Sequence, residues 1–286
     1  MEANLVSILM TCYNREAFIA EAIESVLNSD YKFFELIIVD DRSIDNTVNI
    51  VKSYADKDKR IRFYTNEHNL GDYPNRNKAA SYARGKYLMF CDSDDCFFID
   101  SISYCVSQME NNPAAKIGFY EKEGFEKVTL MKPEIAIYHH FFIRPLLNIG
   151  PGGIIINRQY FNSQNKFPIK YGPANDMYFN LKVAASSPVL ALPKLFLKYR
   201  RHEGQEINNE FVYLYQNYNY LKDALAELPL KLTAKQILWI SKKNKRRFMV
   251  NLIRFYFNSF NYNKTMYAIK QSGFRFKDVF TAIFQF

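Results

Sequence analysis

Asp92-Ser93-Asp94-Asp95 places three carboxylates within four positions, directly behind the apolar run Tyr87-Leu88-Met89-Phe90-Cys91. An apolar run of that length, bounded by Gly85, reads as a short buried strand. The chain therefore leaves the core at the acidic residues. Carboxylates crowded at a strand's carboxyl edge raise one another's pKa unless a cation sits among them. A hard divalent ion with oxygen ligands, Mg²⁺ or Mn²⁺, suits such a group, and these ions take substrate phosphates as further ligands. The competing reading is a solvated acidic turn that caps the following helix, and an Asp-x-Asp pattern alone does not separate the two.

Other polar residues stand where chemistry is possible. Thr11-Cys12-Tyr13-Asn14 and Asp40-Asp41 each follow an apolar run. Asp176 stands at the start of a helical pattern from about Met177 to Ala185, a common place for a helix N-cap. His202 follows Arg200-Arg201, and Gly150-Pro151-Gly152-Gly153 marks a turn or a close backbone approach to a ligand.

The elements that must position these residues are legible from hydrophobic period. Leu5–Met10, Glu35–Val39, Ile61–Tyr64 and Tyr87–Cys91 read as buried strands. Between them, Phe18, Ile19, Ala22, Ile23, Val26 and Leu27 recur at helical spacing, as do Val48, Val51 and Tyr54 behind Ser43 or Asp45 as cap. A third helix spans about Pro74 to Arg84, with Gly85 placed to end it, and a fourth about Ser101 to Asn111. Strands alternating with helices imply a doubly wound, mostly parallel sheet, which binds ligands beyond the strands' carboxyl ends where strand order reverses. Thr11 to Asn14, Asp40-Asp41 and Asp92 to Asp95 then share one rim. Beyond Pro113 the pattern changes: Lys116 to Leu130 suggests short antiparallel strands, Phe196–Tyr199 a last strand, and the chain from about Gln205 is helical. Neither Gly-x-Gly-x-x-Gly nor a Walker-type loop occurs, so phosphates bound at the rim need neutralising by other means.

The 286 residues allow one large or two smaller domains. A hydrophobic share of 48% excludes a disordered chain. Cys12, Cys91, Cys96 and Cys105 form no C-x-x-C pair and are expected as buried free thiols in a reducing cytoplasm. Met1-Glu2-Ala3-Asn4 lacks a positive flank and an apolar core, so secretion is not expected, and no apolar stretch is long enough to span a bilayer. The net charge of +9 is uneven. Ser241 to Phe286 holds ten Lys or Arg, one acid (Asp278) and twelve aromatics, so the preceding residues balance to zero.

In order, Val6-Ser7-Ile8-Leu9-Met10-Thr11-Cys12-Tyr13-Asn14, Ile37-Ile38-Val39-Asp40-Asp41-Arg42-Ser43-Ile44-Asp45-Asn46-Thr47, Asn75-Arg76-Asn77, Gly85-Lys86-Tyr87 and Asp92-Ser93-Asp94-Asp95 resemble glycosyltransferase family 2, whose enzymes have the GT-A fold. Each motif alone is weak, and the ordered set over some 95 residues is specific. Asn175-Asp176 and Tyr199-Arg200-Arg201-His202 extend the likeness more loosely, and the last 80 or so residues lie outside it. The resemblance implies an α/β GT-A fold with residues 1–112 as its nucleotide-sugar half, 113–204 as its acceptor half, and 205–286 as a helical, basic, aromatic extension.

The same resemblance assigns roles. Thr11, Tyr13 and Asn14 belong to the nucleotide pocket, and Asp41 hydrogen-bonds the base. Asp92 lies against the ribose or sugar, Asp94 ligates Mn²⁺ or Mg²⁺ bridging the phosphates, and Asp176 matches the catalytic base. His202 matches a residue near the metal or diphosphate. Many relatives carry Glu-Asp where this chain has Asn175-Asp176, which keeps the base and leaves acceptor contacts by Asn175 less defined.

Sugar transfer needs the leaving diphosphate stabilised, which a divalent cation does as a Lewis acid, with Arg76, Arg200 or Arg201 adding charge-assisted contacts. It also needs a carboxylate to take the acceptor hydroxyl's proton. One base opposite the leaving group gives in-line displacement and inversion. Gly152 and Gly153 are candidates for contact with the sugar. The basic, aromatic tail suits a buried aromatic face with a solvated basic one, or an anionic membrane surface; no nucleic-acid motif accompanies it. The expected protein is an inverting, metal-dependent glycosyltransferase. It takes a UDP-sugar to a glycan or lipid-linked acceptor in bacterial surface-polysaccharide assembly, in the cytoplasm or peripherally on its membrane. The alternatives are a transferase to polyprenyl phosphate, of the dolichol-phosphate-mannose-synthase kind, and a catalytically silent nucleotide-sugar-binding module.

Overall fold

The computed structural model describes residues 4–121, 124–202 and 210–284. The chain runs β1 (Val6–Cys12), α1 (Ile19–Leu27), β2 (Phe34–Asp40), α2 (Thr47–Ala55), β3 (Ile61–Thr65), α3 (Asp72–Tyr82) and β4 (Tyr87–Phe90). It continues through β5 (Cys96–Phe97), α4 (Ser101–Asn111), β6 (Ile117–Tyr120), β7 (Thr129–Met131) and α5 (Pro133–Tyr138). Next come β8 (Ile154–Asn157), α6 (Arg158–Ser163), α7 (Asn175–Ser186), β9 (Val189–Leu192) and β10 (Leu197–Lys198), and then α8 (Glu210–Glu227), α9 (Ala234–Ser259), α10 (Tyr262–Ser272) and α11 (Phe276–Phe284).

Two compact units result. One holds the chain up to Lys132 with Asn148–Phe167 and Ser187–Arg201; the other holds Pro133–Leu147, Pro168–Ser186 and the chain from His202.

In the first unit, eight strands form one mixed sheet of order β3-β2-β1-β4-β8-β6-β9-β7. β1 and β2 are buried at almost every position because helices cover both faces, as continuous Val/Ile/Leu runs demand. β1 pairs in parallel with β2 on one side and β4 on the other, and β2 with β3. The chain thus moves outward from β1 to β3 and returns to β1's opposite flank as β4. Strand order reverses between β1 and β4, so a crevice opens at their carboxyl ends. β8 runs antiparallel to both β4 and β6. The expectation of antiparallel strands over Lys116 to Leu130 holds for β7, whereas β6 is parallel to its other neighbour, β9. Ile19, Ala22, Ile23 and Val26 of α1 pack into the main core with Val6, Ile8, Met10, Leu36 and Ile38.

A polar knot locks the opposite edge of the sheet. Buried Glu35 accepts from Ser7 Oγ (2.7 Å), Arg84 N–H (2.7 Å) and Arg62 Nη1 (2.7 Å). Burial alone would raise its carboxyl, and these donors more than offset that, holding it below the ordinary carboxylate range. Gly85 sits beside the knot, donating to Ser7 Oγ at 2.9 Å. A Cβ on Gly85 would lie 2.6 Å from Ser7 N and 2.7 Å from Leu5 O. Its glycine identity therefore answers to strand packing and not to the helix end expected from sequence; α3 ends at Tyr82, and Ala83 behind it is already extended. All four cysteines are buried and free, and burial pushes the Cys12, Cys91 and Cys105 thiols up, leaving them neutral packing groups.

The second unit is helical. Leu214, Tyr215 and Tyr218 of α8 pack with Phe248 and Leu252 of α9, Ala268 of α10 and Phe274. Thr233 and Gln236 form a reciprocal capping box at the start of α9. Lys245 pairs with Asp278 at 2.7 Å. Among the described residues no helix is long and apolar enough to cross a membrane.

Candidate active site

Three chain segments at the carboxyl edge of the sheet in the first unit are bound together by side chains. Asp40, fully buried at the end of β2, accepts from the N–H groups of Arg42 (3.1 Å) and Ser43 (3.0 Å) and from Ser43 Oγ at 2.5 Å. The Ser43 oxygen in turn accepts from Asn14 N–H at 2.9 Å, and Asn14 Oδ1 accepts from Ile44 N–H at 2.9 Å. Asn14 has φ +52, a left-handed conformation that asparagine tolerates better than most residues. The loop after β1 and the loop after β2 are thereby one rigid piece. Arg15 N–H donates to Thr47 Oγ1 at 2.7 Å, which fixes the first turn of α2 to the same piece. Thr11 is half-buried in this rim, and Tyr13 is 43% exposed.

Asp41 is buried and accepts from Asn66 Nδ2 (2.7 Å), Leu70 N–H (2.8 Å) and Gly71 N–H (2.9 Å). A carboxylate holding two backbone N–H groups shapes the 66–71 loop, which feeds α3. From α3, Arg76 pairs with Asp72 through Nε (2.7 Å) and with Asp92 through Nη1. Arg76 thus orients the first carboxylate of the acidic cluster.

Asp92, Asp94 and Asp95 each offer a carboxylate oxygen, and these oxygens lie within 4.8 Å of one another. Arg15 Nε approaches Asp94 Oδ2 at 3.3 Å. The antiparallel pairing of β10 with β5 brings Arg200 to the cluster. Its backbone N–H donates to Asp95 Oδ1 (3.0 Å) and its Nε to the Asp94 carbonyl (2.5 Å). Nη1 meets Glu21 at 2.6 Å and Nη2 the Phe18 carbonyl at 3.0 Å. Burial pushes the Asp95 carboxyl up to about 7, with Asp92 and Asp94 adding to the shift and the Arg200 N–H opposing it. Three oxygen donors, one of them with its carboxyl pKa raised by burial and by its neighbours' charge, fit a hard divalent cation, which would relieve that repulsion. His202 lies outside this group of three.

In the second unit, Asp176 is buried in the first turn of α7 and accepts from Met177 N–H at 2.7 Å. The helix begins one residue earlier, at Asn175, so Asp176 is not the residue that starts it. Arg247 hydrogen-bonds buried Tyr220, and the Asp176 charge bears on the same phenol. Asn175 spends its amide on its own loop, accepting from Tyr171 N–H (2.9 Å) and donating to the Gly172 carbonyl (2.6 Å).

Gly152 and Gly153 lie in a buried 3-10 turn of the first unit. A Cβ would come within 2.7 Å of Leu197 at Gly152 and 2.3 Å of Ile149 at Gly153, so protein packing accounts for both glycines. Sequence reasoning missed Arg15, Ser43, Thr47, Asp72 and Glu21. Ser43 and Thr47 stood within a recognised motif, while Arg15 and Glu21 carried no local signal.

A doubly wound sheet with a carboxylate-lined crevice at its strand-order reversal defines a nucleotide-sugar enzyme of the GT-A kind. Residues 7–168 match the family model Glycosyl transferase family 2, and the chain belongs to that family. It is a glycosyltransferase. Over 237 residues it is 31% identical to UDP-Glc:alpha-D-GlcNAc-diphosphoundecaprenol beta-1,3-glucosyltransferase WfgD of Escherichia coli, covering 80% of this chain and 90% of that protein. Over 91 residues it is 42% identical to the putative teichuronic acid biosynthesis glycosyltransferase TuaG of Bacillus subtilis, 32% of this chain and 36% of that one. Among solved structures, S. aureus TarS 1–349 with UDP-GlcNAc superposes with a TM-score of 0.75 at 19% identity, covering 98% of this chain and 82% of that one. The Pyrobaculum calidifontis mannosyltransferase PcManGT, solved with GDP-Man and Mn²⁺, gives a TM-score of 0.64 at 12% identity, covering 94% and 79%.

Proposed function

We propose that the protein transfers a sugar from a UDP-sugar to a hydroxyl of a lipid-linked glycan with inversion at the anomeric carbon. The observation that carries this reading is the carboxylate cluster at the β1/β4 crevice, where a hard cation and a diphosphate fit together. Thr11, Tyr13 and Asn14 line the nucleotide side, and Asp41 both shapes the 66–71 loop and faces the base. Asp92, oriented by Arg76, addresses the ribose or sugar. Asp94 holds Mn²⁺ or Mg²⁺, with His202 as a further ligand or phosphate contact. When bound, that ion supplies Lewis-acid stabilisation of the leaving diphosphate.

The chain's own residues do the rest. Arg15 and Arg200 hold the Asp94 loop and add positive potential beside the phosphates. Asp176 takes the acceptor hydroxyl's proton, and Asn175 fixes the loop that presents it; Gly152 and Gly153 allow the close turn that leads into β8. The lipid-linked acceptor is inferred from the wording of the E. coli relative's name. It agrees with a helical unit that leaves Phe260 74% and Phe276 79% exposed among Lys264, Arg275 and Lys277, a composition suited to an anionic membrane surface.

The test is turnover of a panel of UDP-sugars with a prenyl-diphosphate N-acetylglucosamine acceptor, with and without EDTA. Asp176→Asn should lower kcat about 10²–10⁴-fold while leaving UDP affinity unchanged. Full turnover in that variant overturns the base, and EDTA-resistant turnover overturns the metal. For the membrane contact, flotation with phosphatidylglycerol vesicles should fall when Phe260 and Phe276 become serine; unchanged flotation overturns it.

A further inference from the structure

The helical unit contains a cavity that no step of sugar transfer uses. It opens between α8 and α9 and has a volume of about 570 Å³, within the range of small-molecule sites. Asn217 from α8 and Asn251, Arg254 and Asn258 from α9 line it, with the rings of Tyr213 and Phe255. Asn251, Arg254 and Asn258 share one solvent-exposed face of α9, so the space is a groove open to water. It carries amides and a guanidinium. Among the described residues, the side chains of Asn217, Asn251, Arg254 and Asn258 make no hydrogen bond or ion pair. Side-chain amides and a guanidinium not engaged by the protein are free to meet the polar groups of a ligand lying in the groove.

The chemistry of the lining selects the ligand. Three amides offer both donors and acceptors, which matches sugar hydroxyls. One guanidinium presents a planar fork that matches a phosphate, no acid lines the cavity, and Tyr213 and Phe255 add apolar faces. One position away along α9 runs an exposed apolar stripe of Val250, Ile253, Phe257 and Phe260, at spacings of three and four residues. A polar cavity beside an apolar stripe on one helix accommodates a molecule with a sugar-phosphate head and a hydrocarbon chain. We propose that the α8/α9 cavity binds the sugar-phosphate head of a prenyl-linked saccharide, whose chain follows the stripe. The proposal rests on the lipid-linked acceptor reading above and adds a site for holding it.

Calorimetric titration of the full chain tests this with three probes: a short-chain prenyl-diphosphate N-acetylglucosamine, soluble N-acetylglucosamine 1-phosphate, and inorganic phosphate. The prenyl probe should bind most tightly, the soluble sugar phosphate more weakly, and inorganic phosphate weakest. Arg254→Gln and Asn251→Asp should each weaken the two sugar-phosphate probes at least tenfold. Phe257→Ser should weaken only the prenyl probe. None of the three should alter UDP binding, and Arg254→Gln and Asn251→Asp should leave the circular dichroism melt unchanged, since those two side chains make no hydrogen bond or ion pair among the described residues. Unchanged affinity in Arg254→Gln and Asn251→Asp, or inorganic phosphate binding as tightly as the prenyl probe, overturns the proposal. Binding with these mutational effects in a protein that transfers nothing to the prenyl acceptor would leave the cavity assignment standing and overturn the acceptor reading instead.

Discussion

Replacing Arg200 by alanine should loosen the acidic loop and the start of α1 together. Its guanidinium donates to two backbone carbonyls, Asp94 at 2.5 Å and Phe18 at 3.0 Å. A charged donor to a backbone oxygen contributes about 1.5 kcal/mol when its loss strands the acceptor, as at Asp94, and about 0.5 kcal/mol at Phe18, whose carbonyl keeps the N–H of Ala22 at 3.2 Å, so these two account for about 2 kcal/mol. The Glu21 partner is 61% exposed and adds under about 1 kcal/mol. The guanidinium also lies 5.4 Å from the centre of the Phe18 ring, a contact of about 0.5 kcal/mol. The sum is about 3 kcal/mol, or a fall of about 8 °C in melting temperature for a unit of this size. Arg200→Lys keeps the charge but not the fork, and should recover about half. Glu21→Gln is the control and should cost under about 1 kcal/mol. Differential scanning calorimetry reads all three, and a Mn²⁺ titration of Arg200→Ala should show weaker binding because the Asp94 loop is no longer held. If Arg200→Ala melts no lower than Glu21→Gln, the loop does not depend on this side chain and the reasoning fails.

Asp95 makes the metal-free protein pH-dependent. Its folded pKa of about 7 lies above the ordinary 3.8, so the folded state binds more protons and stability falls as pH rises from about 4 through 7. Melting in EDTA from pH 5 to 8 should decline by the equivalent of at most about 3 kcal/mol, and Asp95→Asn should flatten that decline; parallel curves for the two proteins would refute the assignment. Mn²⁺ added at pH 6 should release protons, which an unbuffered titration measures directly. Gly85→Ala places a methyl group against backbone atoms of Ser7 and Leu5, so β1 and β4 cannot keep their spacing. Loss of about 3 kcal/mol or more, or insoluble protein, is expected, and a melting temperature within 2 °C of the parent (roughly 1 kcal/mol) would show that the strands yield.

Period and spacing located β1 to β4 and the first four helices, because each strand is an unbroken apolar run between turn residues and α1 repeats at helical spacing. They also placed the three acidic or polar loops on one rim, since a parallel doubly wound sheet leaves strand ends nowhere else to go. The four cysteines were legible as free and buried for the same reason: their neighbours are apolar. Gly85 was misjudged in mechanism, because a glycine after a helix looks the same in sequence whether it ends the helix or lets two strands approach.

What residue order could not reveal was which groups share the acidic loop. Arg200 reaches Asp94 and Asp95 across more than a hundred residues because β10 pairs with β5, and Arg15 reaches Asp94 because Asn14 and Ser43 lock two loops together. The pattern of carboxylates was local and therefore visible in the chain. Their protonation was not: Asp95 is held up by burial and by the charge of its neighbours, and both depend on distances that exist only after the sheet has closed. The amides and guanidinium between α8 and α9 are another such case. In the sequence they are ordinary polar residues of a basic helix, and only the packing of two helices turns them toward one cavity.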